Sequence, residues 1–375
     1  MKIGILGGGQ LARMLIESSY KFGFDFKILA NEEDSPAGIV TRYFQKGDFN
    51  NEADLIEFSK DCDVITLENE FIDYKKIEAL EKLNKKVYPC SKIIKLIQDK
   101  LFQKDTLLKA GIPVADFVNV ENKEDIVKFA KEHSYPVILK SRTMGYDGKG
   151  NYKIDSESDI EKGITTLKAR GELMCEKFIN FDKEIAVQAA RNHKGEIEIF
   201  PVVETIQKNH ICHIVRASKN LFDEKIVNEV NEITEKILEQ LNYTGVIGIE
   251  MFLTTDNEIL VNELAPRVHN SGHYTIEGCY TSQFENHIRA ILDLPLGNTD
   301  MTAGSAVMIN ILGEKEGEPD MEDLSGILKH EKTYVHNYRK KKSLPGRKMG
   351  HITVLHDSLS EAEKIANECR RIINV

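Results

Sequence analysis

The chain has 375 residues, of which 41% are hydrophobic and 29% charged, and a formal net charge of −10. This length suffices for two or three domains, each with its own apolar core. The acidic balance excludes an extended nucleic-acid surface. No apolar run reaches the roughly 18 residues of a membrane span. The six cysteines have no C-x-x-C spacing and indicate buried thiols in a cytoplasmic protein.

The N-terminal part of the chain alternates short apolar runs with helical stretches. KIGILGG, FDFKILA, DVITLE and KKVYP have strand length, and QLARMLIESSYKFG has helical periodicity. This alternation predicts a parallel sheet with helices on both faces. The first turn has the spacing Gly7-x-Gly9-x-x-Ala12, and Glu32 and Glu33 follow the next strand. Both features are typical of dinucleotide-binding folds, so an NAD-dependent dehydrogenase is one hypothesis.

The pattern changes after this segment. DKLFQKDTLLKAG predicts a helix ending at Gly111, followed by PVADFVNV, a helix KEDIVKFAKEH and the strands PVILKS and NYKI. A larger module follows, with predicted strands KEIAVQAARN and IEIFPVVET and an amphipathic helix KIVNEVNEITEKILEQLN. The last segment contains the strands GSAVMINILG and HITVLHD and a final helix, with RKKKSLPGRK as a basic loop.

The segment GVIGIEMFLTTDNEILVNELAPR predicts two apolar strands joined by turn residues. If Asp256 and Asn257 form a two-residue hairpin loop, Glu250 lies opposite Glu263, with Cβ atoms about 4.5–5.5 Å apart. A cation would compensate this repulsion, and two carboxylates with phosphate oxygens and water suit Mg²⁺. Two surface glutamates on an edge hairpin are the alternative, because a longer loop would shift the register.

A lysine and a glycine-rich loop occur together in VILKSRTMGYDGKGNYKI. Lys140 lies on a predicted strand, and the loop after it contains Gly145, Gly148 and Gly150. Such a loop lets backbone N–H groups approach phosphate oxygens, and the lysine supplies a point charge. The spacing differs from a P-loop, and a mobile hairpin tip is the alternative. With the carboxylate pair, the loop favours a nucleoside triphosphate bound with magnesium.

These features resemble the ATP-grasp superfamily, in which two α+β modules hold ATP between them. The motifs GGGQLARM, GYDGKGN, NELAPRVHNSGHYT and PGRKMGH are similar to those of the 5-(carboxyamino)imidazole ribonucleotide synthase family, and they span residues 4–351. The resemblance implies an α/β chain with ATP-grasp architecture. It divides into an N-terminal Rossmann-like parallel-sheet domain (1–98), a small α+β lid domain (99–180), a catalytic domain (181–303) and a C-terminal α+β subdomain (304–375).

The resemblance also implies roles for individual residues. ATP-binding roles fall on Lys100, Lys140, Gly145, Tyr146, Asp147, Gly148, Lys149, Gly150, Asn151, Glu176, Lys177, Phe178, Ile179, Glu184, Gln207, Asn262 and Glu263. Roles in binding the aminoimidazole ribonucleotide fall on Gly9, Gln10, Leu11, Glu68, Glu70, Tyr146, Lys340 and Arg347. Catalytic roles at a bicarbonate site fall on Arg267, His269 and Asn270, and metal-binding roles on Glu250 and Glu263.

In this family ATP activates bicarbonate as carboxyphosphate, and the amine of aminoimidazole ribonucleotide accepts the carboxyl group. The resemblance therefore implies ATP, bicarbonate and this ribonucleotide as partners, about two Mg²⁺ ions linked to ATP, no NAD or other organic cofactor, and a homodimer. Two departures from the family pattern affect single contacts. ENEF replaces the usual E-F-E-N, and Gln207 stands where a histidine often touches the nucleotide.

Other hypotheses come from different classes of protein. An ATP-grasp relative with another acceptor should lack GRKMGH, and a dehydrogenase needs no ATP machinery. A regulatory nucleotide-binding protein without turnover need not keep the acidic pair and Lys140. Whether the amine attacks carboxyphosphate or released carbon dioxide stays open.

Overall fold

The computed structural model describes residues 1–143, 145, 150–321, 324–373 and 375. The strands in this part of the chain are β1 Lys2–Leu6, β2 Asp25–Ala30, β3 Tyr43–Lys46, β4 Val64–Leu67, β5 Val87–Tyr88, β6 Phe117–Val120, β7 Val137–Ser141, β8 Asn151–Ile154, β9 Leu173–Lys177, β10 Phe181–Arg191, β11 Ile197–Ile199, β12 Val203–Lys208, β13 Ile211–Ser218, β14 Gly245–Thr254, β15 Ile259–Ala265, β16 Ser305–Leu312, β17 Thr333–Asn337 and β18 Lys348–His356. The α-helices are α1 Gln10–Ser19, α2 Glu52–Ser59, α3 Tyr74–Lys82, α4 Ser91–Gln98, α5 Lys100–Lys109, α6 Lys123–His133, α7 Ile160–Leu167, α8 Glu224–Leu241, α9 Thr275–Gly278, α10 Gln283–Ile291, α11 Ser325–Leu328 and α12 Leu359–Ile372. None of the helices described is both long and apolar enough to cross a membrane.

The N-terminal strands form a parallel sheet in the order β3-β2-β1-β4-β5, which confirms the prediction from the alternating pattern. Helix α1 follows β1 through the glycine turn and buries Leu15 against Ile5. The same apolar cluster contains Phe284 and Ile288 of α10. The N-terminal sheet is therefore packed directly against the segment that follows the large sheet's central hairpin.

A small antiparallel sheet has the order β6-β9-β7-β8. Helices α6 and α7 cover it around Ile126, Leu139 and Ile160. The segment EKFI, to which the resemblance assigns ATP-binding roles, begins inside a strand. Its first two residues, Glu176 and Lys177, end strand β9 and pair with β6 and β7.

A nine-stranded sheet holds the rest of the described strands, in the order β15-β14-β10-β12-β13-β16-β18-β17 with β11 beside β10. Helix α8 packs on it with Val230, Ile233 and Ile237 buried, as its apolar stripe predicts. Strands β16 to β18 extend this same sheet. The prediction of one strand over IEIFPVVET is wrong. This stretch is divided into β11 and β12 around Pro201, because proline has no N–H to donate to a neighbouring strand.

A buried histidine connects the N-terminal sheet to the large sheet. The Val246 N–H of β14 donates to Nδ1 of His287 at 3.0 Å, and Nε2 of His287 lies 2.8 Å from Thr66 Oγ1 of β4. Burial lowers the pKa of His287 to about 4. The neutral imidazole is the form that can accept the Val246 N–H, so protonation breaks this connection.

We predict that His287 makes the protein less stable in mild acid. Its folded pKa of about 4 lies below the roughly 6.5 of an unfolded histidine, so the unfolded chain binds more protons between these values. The contribution is present above about pH 6.5 and is lost as the pH falls toward 4. The free energy of unfolding in urea should fall less steeply with pH in His287→Gln, by up to about 1.4 kcal/mol per pH unit. The exposed-site variant His193→Gln is the control, and parallel slopes in all three proteins would contradict the prediction.

Candidate active site

Two carboxylates face each other on the central hairpin of the large sheet. Glu250 of β14 is the register partner of Glu263 of β15, which confirms the predicted opposition. The neighbouring residues Ile249 and Met251 point into the apolar core beneath the sheet. Strand alternation therefore directs Glu250 to the opposite face.

The loop that joins these strands is not the predicted two-residue turn. The Thr254 N–H donates to the backbone carbonyl of Glu258 at 3.0 Å, so the loop consists of residues 255–257. Asn257 in this loop has a φ of 62°. This longer loop alone would shift the register by one residue. A bulge at Asn262 corrects the shift just before Glu263.

The bulge also determines which side chains reach the open face. Val261 and Leu264 both lie in the core cluster, although they are three residues apart. Regular alternation would place them on opposite faces. Because the bulge interrupts the alternation, Asn262 and Glu263 both lie between two core positions. Asn262 lines a small cleft that Glu250 also lines.

Strands β10 and β12 supply the other side of this cleft. Glu184, Thr205 and Gln207 line it together with Glu250 and Asn262. Burial raises the pKa of Glu184, although a hydrogen bond with Gln207 opposes the shift. Gln207, at the family's histidine position, therefore contacts Glu184, a carboxylate to which the resemblance assigns an ATP-binding role.

The carboxylates in and beside the cleft favour the binding of a cation. The Glu250 side chain is 35% exposed. Its pKa is raised to about 7, first by burial and then by repulsion from Glu263 and Glu184. Among the described residues, no group of three or more His, Cys, Asp or Glu side chains could by itself hold a metal ion. Mg²⁺ is commonly bound by one or two carboxylates plus phosphates and water, so this donor set fits Mg²⁺ brought by a nucleotide.

Lys100, at the start of α5, lies beside the carboxylate pair. Its Nζ is 2.5 Å from Glu263 Oε1. Asp99 caps the helix by accepting the Leu101 N–H at 3.0 Å. The Lys100 N–H donates to the Arg142 carbonyl at 2.8 Å. The beginning of α5 is thus joined to the end of β7.

Arg142 was missed by the sequence analysis, and it fixes the base of the glycine-rich loop. Its Nε and Nη2 bind the two oxygens of Asp99 at 3.1 and 2.6 Å. Gly150 returns the chain to β8, where its carbonyl accepts the Ser141 N–H at 2.8 Å. Asp99 and Arg142 lie far apart in the sequence, so no local motif predicts that they pair.

Lys140 projects from β7 toward a buried carboxylate. Its Nζ is 2.6 Å from Glu176 Oε2, and Lys104 Nζ of α5 is 3.2 Å from Glu176 Oε1. Burial would raise the pKa of Glu176, but the two lysines outweigh it and lower the pKa to about 2. Lys104 was not predicted to take part in the site. Burial lowers its pKa, and contact with Glu176 opposes that shift.

The predicted nucleotide residues Tyr146, Asp147, Gly148 and Lys149 lie outside the described residues. Gly145, Gly150 and Asn151 are described, and Asn151 pairs with Lys140 across β7 and β8. Beyond Lys177, the residues Phe178 and Ile179 connect β9 to β10. Their roles toward ATP stay predictions.

The N-terminal glycine turn holds a carboxylate of the protein itself. Glu68, directly after β4, accepts the Gly9 N–H at 2.6 Å, and a Cβ on Gly9 would lie 2.0 Å from Glu68 Oε1. In dinucleotide-binding folds, phosphate occupies this position at the helix N-terminus. The anion-binding position is therefore already filled, which argues against the dehydrogenase hypothesis on physical grounds.

Burial raises the pKa of Glu68, and hydrogen bonds from Gly9 and Leu11 and the charge of Lys340 oppose the shift. Lys340 of the C-terminal basic loop therefore lies near this turn. The Leu11 side chain is buried in the core, and its role toward the ribonucleotide stays a prediction. Gln10 is the half-buried first residue of α1 beside the turn.

Arg267 follows the β15 carboxylate and pairs with Glu70 through two nitrogens, one of them at 2.9 Å. Its guanidinium is thereby anchored to the segment after β4. Asn270, expected at a bicarbonate site, makes a reciprocal amide pair with Asn310 of β16 at 3.0 and 2.7 Å. Because Asn270 is buried and its amide is engaged, its side chain holds the loop in place as the structure stands.

His269 lies between the loop and the carboxylate pair. Its Nε2 is 3.5 Å from Glu250 Oε1, and its Nδ1 is 2.7 Å from Ser271 Oγ. Gln283 brackets the backbone of His269, accepting its N–H at 2.9 Å and donating to its carbonyl at 2.7 Å. Burial, followed by the charges of Arg267 and Lys348, holds the pKa of His269 well below its usual range.

Arg347 lies on the exposed C-terminal loop, where its Nη1 donates to the Lys342 carbonyl at 2.9 Å. Lys340 lies over the Tyr338 ring, 5.7 Å from the centroid. In the same loop, Lys341 pairs with Asp34 of the N-terminal domain. The basic loop therefore contacts the N-terminal domain near the glycine turn.

Comparisons with known proteins agree with this arrangement. A ribonucleotide synthetase preATP-grasp domain matches residues 1–98, an ATP-grasp domain matches 105–284, and a phosphoribosylaminoimidazole carboxylase C-terminal domain matches 306–365. The fold and the site thus define an ATP-grasp protein.

Solved structures narrow this class. An N5-carboxyaminoimidazole ribonucleotide synthetase from Thermotoga maritima is 40% identical with a TM-score of 0.90, covering 100% of this chain and 98% of that one. An Aspergillus clavatus synthase, solved with ADP and 5-aminoimidazole ribonucleotide, is 36% identical with a TM-score of 0.90, covering 99% and 98%. The chain belongs to the N5-carboxyaminoimidazole ribonucleotide synthase family of ATP-grasp ligases, which confirms the resemblance found in its motifs.

A curated relative extends beyond this chain. The phosphoribosylaminoimidazole carboxylase of Candida glabrata is 40% identical over 372 residues, which cover 96% of this chain. The chain spans 65% of the length of that carboxylase.

We predict that Glu68 stabilises the glycine turn. Removing its carboxylate in Glu68→Ala leaves the part-buried Gly9 N–H without its acceptor, which should cost about 1–3 kcal/mol in the free energy of unfolding. Glu68→Gln keeps an acceptor oxygen and should lose less. Thermal and urea unfolding would measure both, with exposed Glu57→Ala as the control. Wild-type stability in Glu68→Ala would show that the carboxylate does not support the turn.

Proposed function

We propose that this protein carboxylates 5-aminoimidazole ribonucleotide with bicarbonate at the expense of ATP, as a step of purine synthesis. The observation that carries the proposal is the opposed pair of Glu250 and Glu263 with Lys100 against it, in a chain of this family. The products are 5-(carboxyamino)imidazole ribonucleotide, ADP and phosphate. A homodimer in the cytoplasm remains part of the proposal.

The first step transfers the γ-phosphoryl group of ATP to a bicarbonate oxygen. This makes carboxyphosphate, because bicarbonate itself is a poor electrophile. Lys140 and Lys100 would bind the phosphates, and Glu184 would bind the ribose hydroxyls. Positioning and charge neutralisation supply most of the catalysis in such transfers.

Glu250 and Glu263 would hold Mg²⁺, and Asn262 lies beside them. When bound, the ion supplies neutralisation of negative charge on the phosphates. The raised pKa of Glu250, about 7, reflects burial first and then repulsion from Glu263 and Glu184, and a bound cation would offset both costs.

The second step forms the new C–N bond. The exocyclic amine attacks the carbon of carboxyphosphate or of the carbon dioxide it releases. By either route phosphate leaves with the bridging oxygen and the nitrogen loses a proton. Arg267 would bind the bicarbonate-derived anion, with Glu70 fixing its guanidinium plane. His269 has a pKa well below its usual range, so it is neutral at pH 7 and would hydrogen-bond this anion, while the released phosphate takes up the proton.

The ribonucleotide would lie between the N-terminal turn and the C-terminal basic loop. Gly9 and Gln10 face it from the turn, with Glu68 and Glu70 behind them. Lys340 and Arg347 would bind its phosphate, since both cations belong to the loop that docks at this opening.

Phosphate release from ATP at fixed bicarbonate tests the proposal. Adding aminoimidazole ribonucleotide should raise the rate and give one carboxylated product per ADP. Glycinamide ribonucleotide serves as the competing acceptor, because other ATP-grasp ligases use different amines. Equal stimulation by both amines, or stimulation by glycinamide ribonucleotide alone, would contradict the proposed substrate.

We predict that Glu250→Gln and Glu263→Gln each lower kcat at least about 100-fold. The double variant should be little worse than either single variant, because both side chains act on one cation site. Steady-state rates across a magnesium titration would measure this. Exposed Glu258→Gln on the same hairpin is the matched control, and near-wild-type turnover in either single variant would refute the site.

We predict that Lys340→Ala and Arg347→Ala raise the KM for the ribonucleotide about tenfold or more, since each removes a charge-assisted hydrogen bond. The KM for ATP should stay close to wild type. Lys342→Ala removes an exposed charge from the same loop and serves as the control. Unchanged kinetics in both variants would mean that this loop is only a solvated surface.

A further inference from the structure

Lys104 of α5 is a lysine buried within the protein. Its side chain is 2% exposed, and lysines are almost never so buried unless they are paired. Its Nζ lies 3.2 Å from Glu176 Oε1 and 3.5 Å from the carbonyl of Val261 on β15. An apolar side chain would fill the same space without the cost of removing an ammonium from water. The charge therefore calls for an explanation beyond packing.

The partner of Lys104 is also the partner of the proposed phosphate-binding lysine. Lys140 Nζ lies 2.6 Å from Glu176 Oε2, so the two lysines take one carboxylate oxygen each. The Glu176 side chain is 4% exposed and cannot obtain compensation from water. The three charges add to a net positive charge, and Lys140, at 12% exposure, is the more accessible of the two lysines.

Consider the same site without Lys104. Glu176 and Lys140 would then form a neutral pair, which attracts a phosphate only weakly. Drawing Lys140 toward a phosphate would also leave the buried Glu176 without a full counter-charge, which is costly inside a protein. With Lys104 present, Glu176 stays compensated, and Lys140 has further N–H donors for a ligand.

We propose that Lys104 is a positioning residue for nucleotide binding: it neutralises Glu176 and thereby leaves the charge of Lys140 available to the ATP phosphates. This inference rests on the proposed function, in which Lys140 binds ATP. The helix supports it geometrically, because Lys100 and Lys104 are one turn apart on α5. One pairs with Glu263 and the other with Glu176.

A double-mutant cycle tests the inference in the full-length protein. The variants are Lys104→Met, Glu176→Gln, their combination and Lys140→Met, with exposed Lys109→Met of the same helix as the control. Calorimetry would measure the Kd of the magnesium complex of the β,γ-imido analogue of ATP. Thermal unfolding would verify that each variant is folded, and kinetics would give the KM for the ribonucleotide.

Lys104→Met should raise the Kd for the nucleotide analogue at least about tenfold and leave the KM for the ribonucleotide unchanged. Adding Glu176→Gln should restore most of the lost affinity, because the uncompensated carboxylate is then gone. Lys109→Met should bind like the wild type. A packing defect would instead weaken both ligands and would persist in the double variant.

Two results would overturn the inference while leaving the proposed function in place. One is wild-type nucleotide affinity in Lys104→Met, and the other is equal loss in Lys104→Met and the double variant, each with Lys140→Met clearly weakened. Wild-type affinity in Lys140→Met would instead refute the proposed role of Lys140, and the inference would fall with it.

Discussion

The repulsion between Glu250 and Glu263 is the constraint on which the rest of the site depends. Two adjacent strands bring these carboxylates face to face, and this repulsion adds to burial in raising the pKa of Glu250 to about 7. The surrounding chain supplies one direct counter-charge, because Lys100 contacts Glu263. The neutral His269 lies beside Glu250. An arrangement that costs stability in the empty protein is favourable once a divalent cation and a polyphosphate complete it.

Further pairs of opposite charges lie along α5 and the segments around it. Three acidic side chains around the cleft have basic partners: Glu176 has Lys140 and Lys104, Asp99 has Arg142, and Glu70 has Arg267. These pairs join the small sheet, the large sheet and the N-terminal sheet around one opening. Removing one member leaves a buried charge, so such pairs fix positions more than they add stability.

Local pattern was enough to predict most of the fold, and motif resemblance supplied the hypotheses for the site residues. Alternating apolar runs predicted the parallel sheet, and the stripe of α8 predicted its buried face. The opposition of Glu250 and Glu263 was correct although the loop was wrong, because the bulge at Asn262 offsets the longer turn. Contacts between distant segments carry no such signal. Arg142 with Asp99, Lys104 with Glu176, and Glu68 with Gly9 each pair residues from separate elements, and only the folded chain brings them together.

Transfer of oxygen from bicarbonate to phosphate tests the central claim, ATP-driven activation of bicarbonate, most directly. Bicarbonate labelled with ¹⁸O would be supplied with ATP and aminoimidazole ribonucleotide, and the released phosphate analysed by mass spectrometry within a short reaction time. Because phosphate leaves carboxyphosphate with the bridging oxygen, each phosphate should contain one oxygen from bicarbonate. Phosphate with no label, formed at the same rate as the carboxylated product, would contradict the account.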